Sequence, residues 1–181
     1  KPGKHEKGKL ELDPNLKIPK YQAALDIHWM PGSYYTETTK DDVVAGAMYD
    51  SGGLYVMTAG NLGPLGDGGA YSVINYLRET YPDFQPKRIL DQGCTVGHNT
   101  LPFKEAWPHA EVIGIDIGAP VLRYAHARSE SLGSAITFSQ QNAEHTEYED
   151  NSFDYVGNFM WMMFGNPCED FEVDEVVRKA L

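Results

Sequence analysis

The stretch RILDQGCTVGHNT, Arg88 to Thr100, is a short apolar run that ends on an acidic residue and passes straight into a glycine-bearing turn. It predicts a strand, a tight turn and the mouth of a helix, the place where α/β proteins hold nucleotides. Gly93 and Gly97 lack a Cβ, so the backbone there can take positive φ and let a ligand approach the main chain. Asp91 stands at the strand's carboxyl end, where open parallel sheets bind their ligands.

The spacing separates the nucleotide classes. A dinucleotide fingerprint requires G-x-G-x-x-G with a phosphate over the helix N-terminus. Here the pattern is D-x-G-C-x-x-G, and an anionic Asp91 repels a pyrophosphate but suits a cationic or amine-bearing ligand. No Gly-Lys-Ser/Thr follows, which excludes a P-loop.

Three further segments continue the pattern. EVIGIDIGAP, Glu111 to Pro120, predicts a second strand ending at Asp116, and Thr100 to Ala106 a helix between the two. ITFSQQNAEH, Ile136 to His145, predicts a third strand leading into Asn142, Ala143 and Glu144, and NSFDYVGNFM, Asn151 to Met160, a fourth ending near Asn158. Over roughly residues 71–160 the chain resembles the class I S-adenosylmethionine-dependent methyltransferases, whose first motif is a strand followed by D-x-G-C-x-x-G.

The resemblance implies a Rossmann-like α/β fold, with a doubly wound, mostly parallel sheet and helices on both faces. It also implies the cofactor S-adenosylmethionine, leaving as S-adenosylhomocysteine, and methyl transfer by in-line displacement from a positively charged sulfur. The implied cofactor set is Gly93 and Gly97 for backbone approach with Cys94 between them, and Asp91 near the methionine amine. Asp116 falls at the ribose with Ile117 after it, Asn142 and Ala143 at the adenine, and Asn158 at the methyl-facing position. His98 is a candidate base or helix cap, and Asn158 a second candidate for the chemistry. A general base is required only when the acceptor is a poor nucleophile at neutral pH.

The 181 residues, 41% of them hydrophobic, suffice for a buried core, since a domain of ~150 residues buries about 70% of its unfolded surface. No apolar run approaches the ~20 residues of a membrane span, and KPGKHEKGK has no apolar stretch after its charges, so no signal peptide is expected. Cys94 and Cys168 are the only cysteines, too few for a disulfide framework, which makes a reducing cytoplasm the expectation. His and Cys show no H-E-x-x-H or C-x-x-C spacing, so no metal is expected.

The net charge is -11, yet residues 1–20 hold six Lys against Glu6, Glu11 and Asp13, leaving the remainder at 9 basic and 23 acidic groups, a net of -14. So acidic a body repels phosphate backbones, which argues against nucleic acid and for a small-molecule methyl acceptor.

Residues 1–20 form an expected extended or disordered basic arm, 21–82 a helical cap, and 83–181 the nucleotide-binding domain. Within the cap, Thr39 with Asp41 and Asp42 predicts a capped helix start running to about Asp50, where Ser-Gly-Gly ends it. Tyr71 to Thr80 predicts a second, amphipathic helix with Val73, Ile74 and Leu77 on one side. In the resembled family such helices often form a lid. That gives Trp29, Tyr34 and Tyr35 a place against the substrate, with core packing or a homodimer contact as the open alternative. Met160, Trp161, Met162 and Met163 are expected to pack. After the fourth strand only the helix Val173 to Leu181 is expected, so the last strands of the family's sheet are expected to be missing from this chain. A catalytically silent module and a nicotinamide-dependent oxidoreductase stay open as alternatives, the second disfavoured by Asp91 and the absent third glycine.

Overall fold

The computed structural model describes residues 8–24, 26, 30, 32–53, 60–63 and 65–158. The expected tryptophan contact at Trp29, the Met160–Met163 cluster and the helix Val173 to Leu181 lie outside the described residues.

The glycine motif occupies its predicted place. Strand β2, Arg88–Gln92, is followed by the turn and then by a helix at Thr100–Ala106. Next come β3, Glu111–Asp116, a helix over Ala119–Ser131, β4, Thr137–Gln140, and β5, Tyr155–Gly157. Ahead of them lie β1, Lys9–Glu11, and helices α1, Lys20–Ala23, α2, Val44–Met48, and α3, Gly68–Thr80. The helices after β2 and β3 are therefore α4 and α5. The sheet runs β1-β4-β3-β2-β5, and every pairing is parallel.

Chain order and sheet order together locate the site. From β2 the chain steps outward to β3 and β4, then returns to place β5 on the other side of β2. That reversal opens a crevice at the carboxyl ends of β2 and β5, where open α/β sheets bind ligands. The register sets Asp91 opposite Gly114 on β3 and Gly157 on β5, and Asp116 opposite Gln140.

Parallel strands buried on both faces read as continuous apolar runs, as in ILD and VIGI. One face carries Ile89 and Val112 against Ala70, Ile74, Phe103 and Trp107 of the α3–α4 layer. Phe138, Cys94 and Leu101 extend it against Leu122 and Ala125 of α5. The other face sets Leu90, Ile113 and Ile115 against Ala143, with Tyr148, Phe153 and Val156 beside them. Gly114 is required by close approach: a Cβ there would stand 2.9 Å from Cys94 Sγ, so a side chain would push the glycine turn off β3.

At the amino end, Lys9, Leu10 and Glu11 pair with Thr137, Phe138 and Ser139 as a sheet edge. One expectation there is corrected: Thr39 does not cap a helix. Asp42 Oδ2 accepts from the Thr39 amide at 2.5 Å and its Oδ1 from the Val44 amide at 3.1 Å, so α2 starts only at Val44. Beyond Met48 the chain widens into a π-type turn, Tyr49–Gly53.

Candidate functional site

The turn after β2 is built by its backbone. Gly93 and Gly97 have φ of 70° and 80°, a region in which a Cβ is costly. The amides of Gly93 and Cys94 both donate to the Ile115 carbonyl, at 2.8 and 3.0 Å, and fold the turn over the end of β3. Gly97 N closes it onto the Cys94 carbonyl at 2.8 Å, and Arg128 reaches in from α5 to the Val96 carbonyl at 3.3 Å. Cys94 is buried and free, and its thiol is pushed up by burial, with Asp116 and Asp91 adding to the shift. It is a packing residue of the turn.

Two buried carboxyls flank this turn. Asp91 accepts from Thr100 Oγ1 at 2.5 Å. Burial pushes it up to about 7, the Thr100 bond opposing and Asp116 adding to the rise. Asp116 accepts from the Gly118 amide at 2.9 Å and the Thr95 amide at 3.1 Å. It is pushed up to about 6, burial outweighing those amides and that of Ile117. Neither carboxyl has a cationic partner in these bonds. Two acids near each other without counter-charge make a site that favours an incoming cation. Ile117 is fixed through its carbonyl, which accepts from Gln140 Nε2 at 2.9 Å. Asn142 folds its own loop, Oδ1 accepting from the Glu144 amide at 3.0 Å, and Ala143 is buried beside it.

His98 does not cap α4. Its Nε2 lies 2.7 Å from Asp50 Oδ1 in the π-type turn, and Tyr124 of α5 donates to the other oxygen at 2.7 Å. The ring stacks on Tyr49 at 5.7 Å, and Nδ1 is buried with no partner among the described residues. Burial lowers the His98 pKa against the opposing bond to Asp50. Burial also pulls Asp50 upward, but the Tyr124 and His98 bonds together hold it below its ordinary value. The ionised Asp50 therefore accepts a hydrogen bond from Nε2–H, which leaves Nδ1 as a bare acceptor.

Tyr34 packs edge-to-face on Tyr49 at 5.5 Å, within a cluster that also holds Met30, Ala45, Val96 and Val121. Burial, with Tyr49 and Asp116 adding, drives its hydroxyl pKa far up. Tyr35 is half-buried. Asn158, just past β5, donates from Nδ2 to Gln92 Oε1 at 3.2 Å. Gln92, Asp50, Tyr49, Thr100 and Tyr124 are thus site residues that the motif did not indicate. Among the described residues no cluster of three metal-ligating side chains occurs, and no helix is long and apolar enough to cross a membrane.

A family model for the methyltransferase domain matches residues 89–180, and the chain belongs to that family, the S-adenosylmethionine-dependent methyltransferases of class I fold. A demethylmenaquinone methyltransferase of Thermus thermophilus is 38% identical over 71 residues, 39% of this chain and 32% of that protein. A ubiquinone biosynthesis O-methyltransferase of Vibrio cholerae is 32% identical over 84 residues, 46% of this chain and 34% of that one. The chain thus spans about a third of the length of these relatives. A Methanococcus maripaludis structure assigned to the S-adenosyl-L-methionine-dependent methyltransferases shares the fold at TM-score 0.54 and 14% identity, over 80% of this chain and 59% of that one.

Proposed function

We propose that this chain binds S-adenosylmethionine at the carboxyl ends of β2 and β3 and takes part in methyl transfer to a small-molecule acceptor. The observation that carries it is the pair of buried acids, Asp91 and Asp116, on either side of a glycine turn held at positive φ. That site is negative and closely approachable, which matches a sulfonium nucleoside and opposes a pyrophosphate.

When bound, S-adenosylmethionine supplies a methyl group on a positively charged sulfur. Gly93 and Gly97 let the ligand lie against the backbone, and Asp116 with Ile117 faces the ribose. Asn142 and Ala143 flank the adenine, and Asp91 contributes negative charge toward the methionine end. Positioning is the main catalytic requirement of an in-line displacement. His98 is the candidate proton acceptor through Nδ1, and Tyr34 and Tyr35 are candidate walls for the acceptor. The body's net of -14 outside residues 1–20 supports a small, unphosphorylated acceptor, as do relatives named for demethylmenaquinone and trans-aconitate.

Isothermal titration with S-adenosylhomocysteine tests the cofactor: micromolar binding is expected, and no heat at millimolar ligand on folded protein overturns it. Methyl-tritiated S-adenosylmethionine added with a fractionated cell extract tests the acceptor. Label is expected in the low-molecular-weight fraction, and label confined to nucleic acid or protein defeats that half of the proposal.

A further inference from the structure

At the crevice between β2 and β5, two side-chain amides meet with half of their hydrogen-bonding groups unused. Gln92 is the last residue of β2 and is 1% exposed. It is bonded to Asn158 just past β5, yet Gln92 Nε2 and Asn158 Oδ1 are both buried without a partner among the described residues. Turning both amides over exchanges the atoms, but a bonded amide pair always keeps one donor and one acceptor to spare. Buried polar groups left unpaired cost stability, and native chains keep few of them. The two carboxyls at this sheet end are engaged, Asp91 by Thr100, and Asp116 by the amides of Thr95 and Gly118. Strand alternation also sends Gln92 to the face opposite Asp91.

We propose that Gln92 and Asn158 together bind the α-amino-acid end of the cofactor, the spare N–H donating to its carboxylate and the spare carbonyl accepting from its ammonium. A zwitterion presents one anionic acceptor and one cationic donor, the complement of what this amide pair leaves open. The amine contact thereby passes from Asp91, which acts at a distance through its charge, to Asn158. Gln92 becomes a specificity residue for ligands that carry an amino acid. This inference rests on the cofactor assignment above.

The test compares S-adenosylhomocysteine with 5′-methylthioadenosine, which keeps the nucleoside and the sulfur but lacks the amino-acid end. Isothermal titration of both is made on the unaltered chain, on Gln92→Leu and on Gln92→Glu, which keeps an oxygen for Asn158 and replaces the donor by an anion. Both variants are expected to lose at least tenfold in affinity for S-adenosylhomocysteine and to stay within about twofold for methylthioadenosine. Gln92→Glu gives the answer if Gln92→Leu does not fold. Equal losses for the two ligands, or no loss for either, overturn the inference while leaving the cofactor assignment intact, and would mean that the pair only joins β2 to β5. An unaltered chain that binds neither compound overturns the cofactor assignment and this inference with it.

Discussion

Asp50 Oδ1 lies 2.7 Å from His98 Nε2, which ties the turn that follows α2 to the glycine turn that follows β2. The same carboxylate receives the Tyr124 hydroxyl, so one side chain fastens the amino-terminal segment to α5 and to the glycine turn together. Gly46 makes the junction tight, since a Cβ at that position would run into the Tyr124 side chain.

Asp50→Ala strands His98 with both ring nitrogens unpaired. It is expected to cost about 1–3 kcal/mol, the penalty for leaving a buried polar group unsatisfied. Tyr124→Phe should cost about 1 kcal/mol or less. The two losses should not add, because both act through Asp50. Thermal melts of the two single variants and the double variant measure the coupling, and strictly additive shifts would show that the three side chains act separately.

Asp116→Ala is expected to lower affinity for S-adenosylhomocysteine by roughly 2–4 kcal/mol, since charge-assisted bonds are each worth ~1.5–3 kcal/mol and do not sum. It also frees the amides of Thr95 and Gly118, so the melting temperature should fall as well. Titration calorimetry read beside a melt separates the two effects. Unchanged affinity in a folded variant would place the ribose elsewhere.

Gly93→Ala forces an L-residue to φ near 70°, at about 1–2 kcal/mol, and sets a methyl where the ligand approaches. Binding should drop at least tenfold, 1.4 kcal/mol being a factor of ten. Circular dichroism checks the fold while calorimetry reads the constant, and wild-type affinity would remove the backbone-approach role from this glycine.

Asp91, with its pKa pushed up to about 7, gives the site a pH dependence with a definite sign. Between about pH 4 and pH 7 the folded chain holds a proton here that the unfolded chain has released, so this group's contribution to stability falls as pH rises through that window. Asp91→Asn, which can still accept from Thr100, should therefore be more stable than the unaltered chain at pH 8. Cation binding favours the ionised acid, so affinity for S-adenosylmethionine should rise from pH 5.5 to pH 8 in the unaltered chain and rise less in Asp91→Asn, where only Asp116, pushed up to about 6, still titrates. Calorimetry at the two pH values decides, and parallel profiles would exclude Asp91 as the titrating group.

The legible parts of the chain were those whose cause is local. Asp91, Gly93 and Gly97 lie within seven consecutive residues, and their strand, turn and helix follow from apolar run, acid and glycine without reference to the rest of the chain. Asp116 could be read for the same reason, as the acid ending an apolar strand. Asp50 gave no such signal. Its partner is 48 residues away, and nothing in YDSGG marks it as other than a helix end. Thr39 misled because Thr and Asp in proximity resemble a cap, whereas here the Asp42 carboxylate folds back on the Thr39 amide. Gln92 could have been noticed: a long polar side chain closing an apolar strand needs a partner, and that partner, Asn158, is 66 residues on.

The edge strand β1 has a consequence for how the chain assembles. Among the described residues Lys9–Glu11 pairs with β4 alone, and the Asp13 amide just beyond it bonds Gln140 across 127 positions. During synthesis these residues leave the ribosome long before their partner exists, and closing so long a loop is slow. The central strands β2, β3 and β4, joined by short helical crossovers, can pair first, and the amino-terminal edge then docks onto a sheet already formed. The first strand of this sheet to be made is thus among the last to find its place.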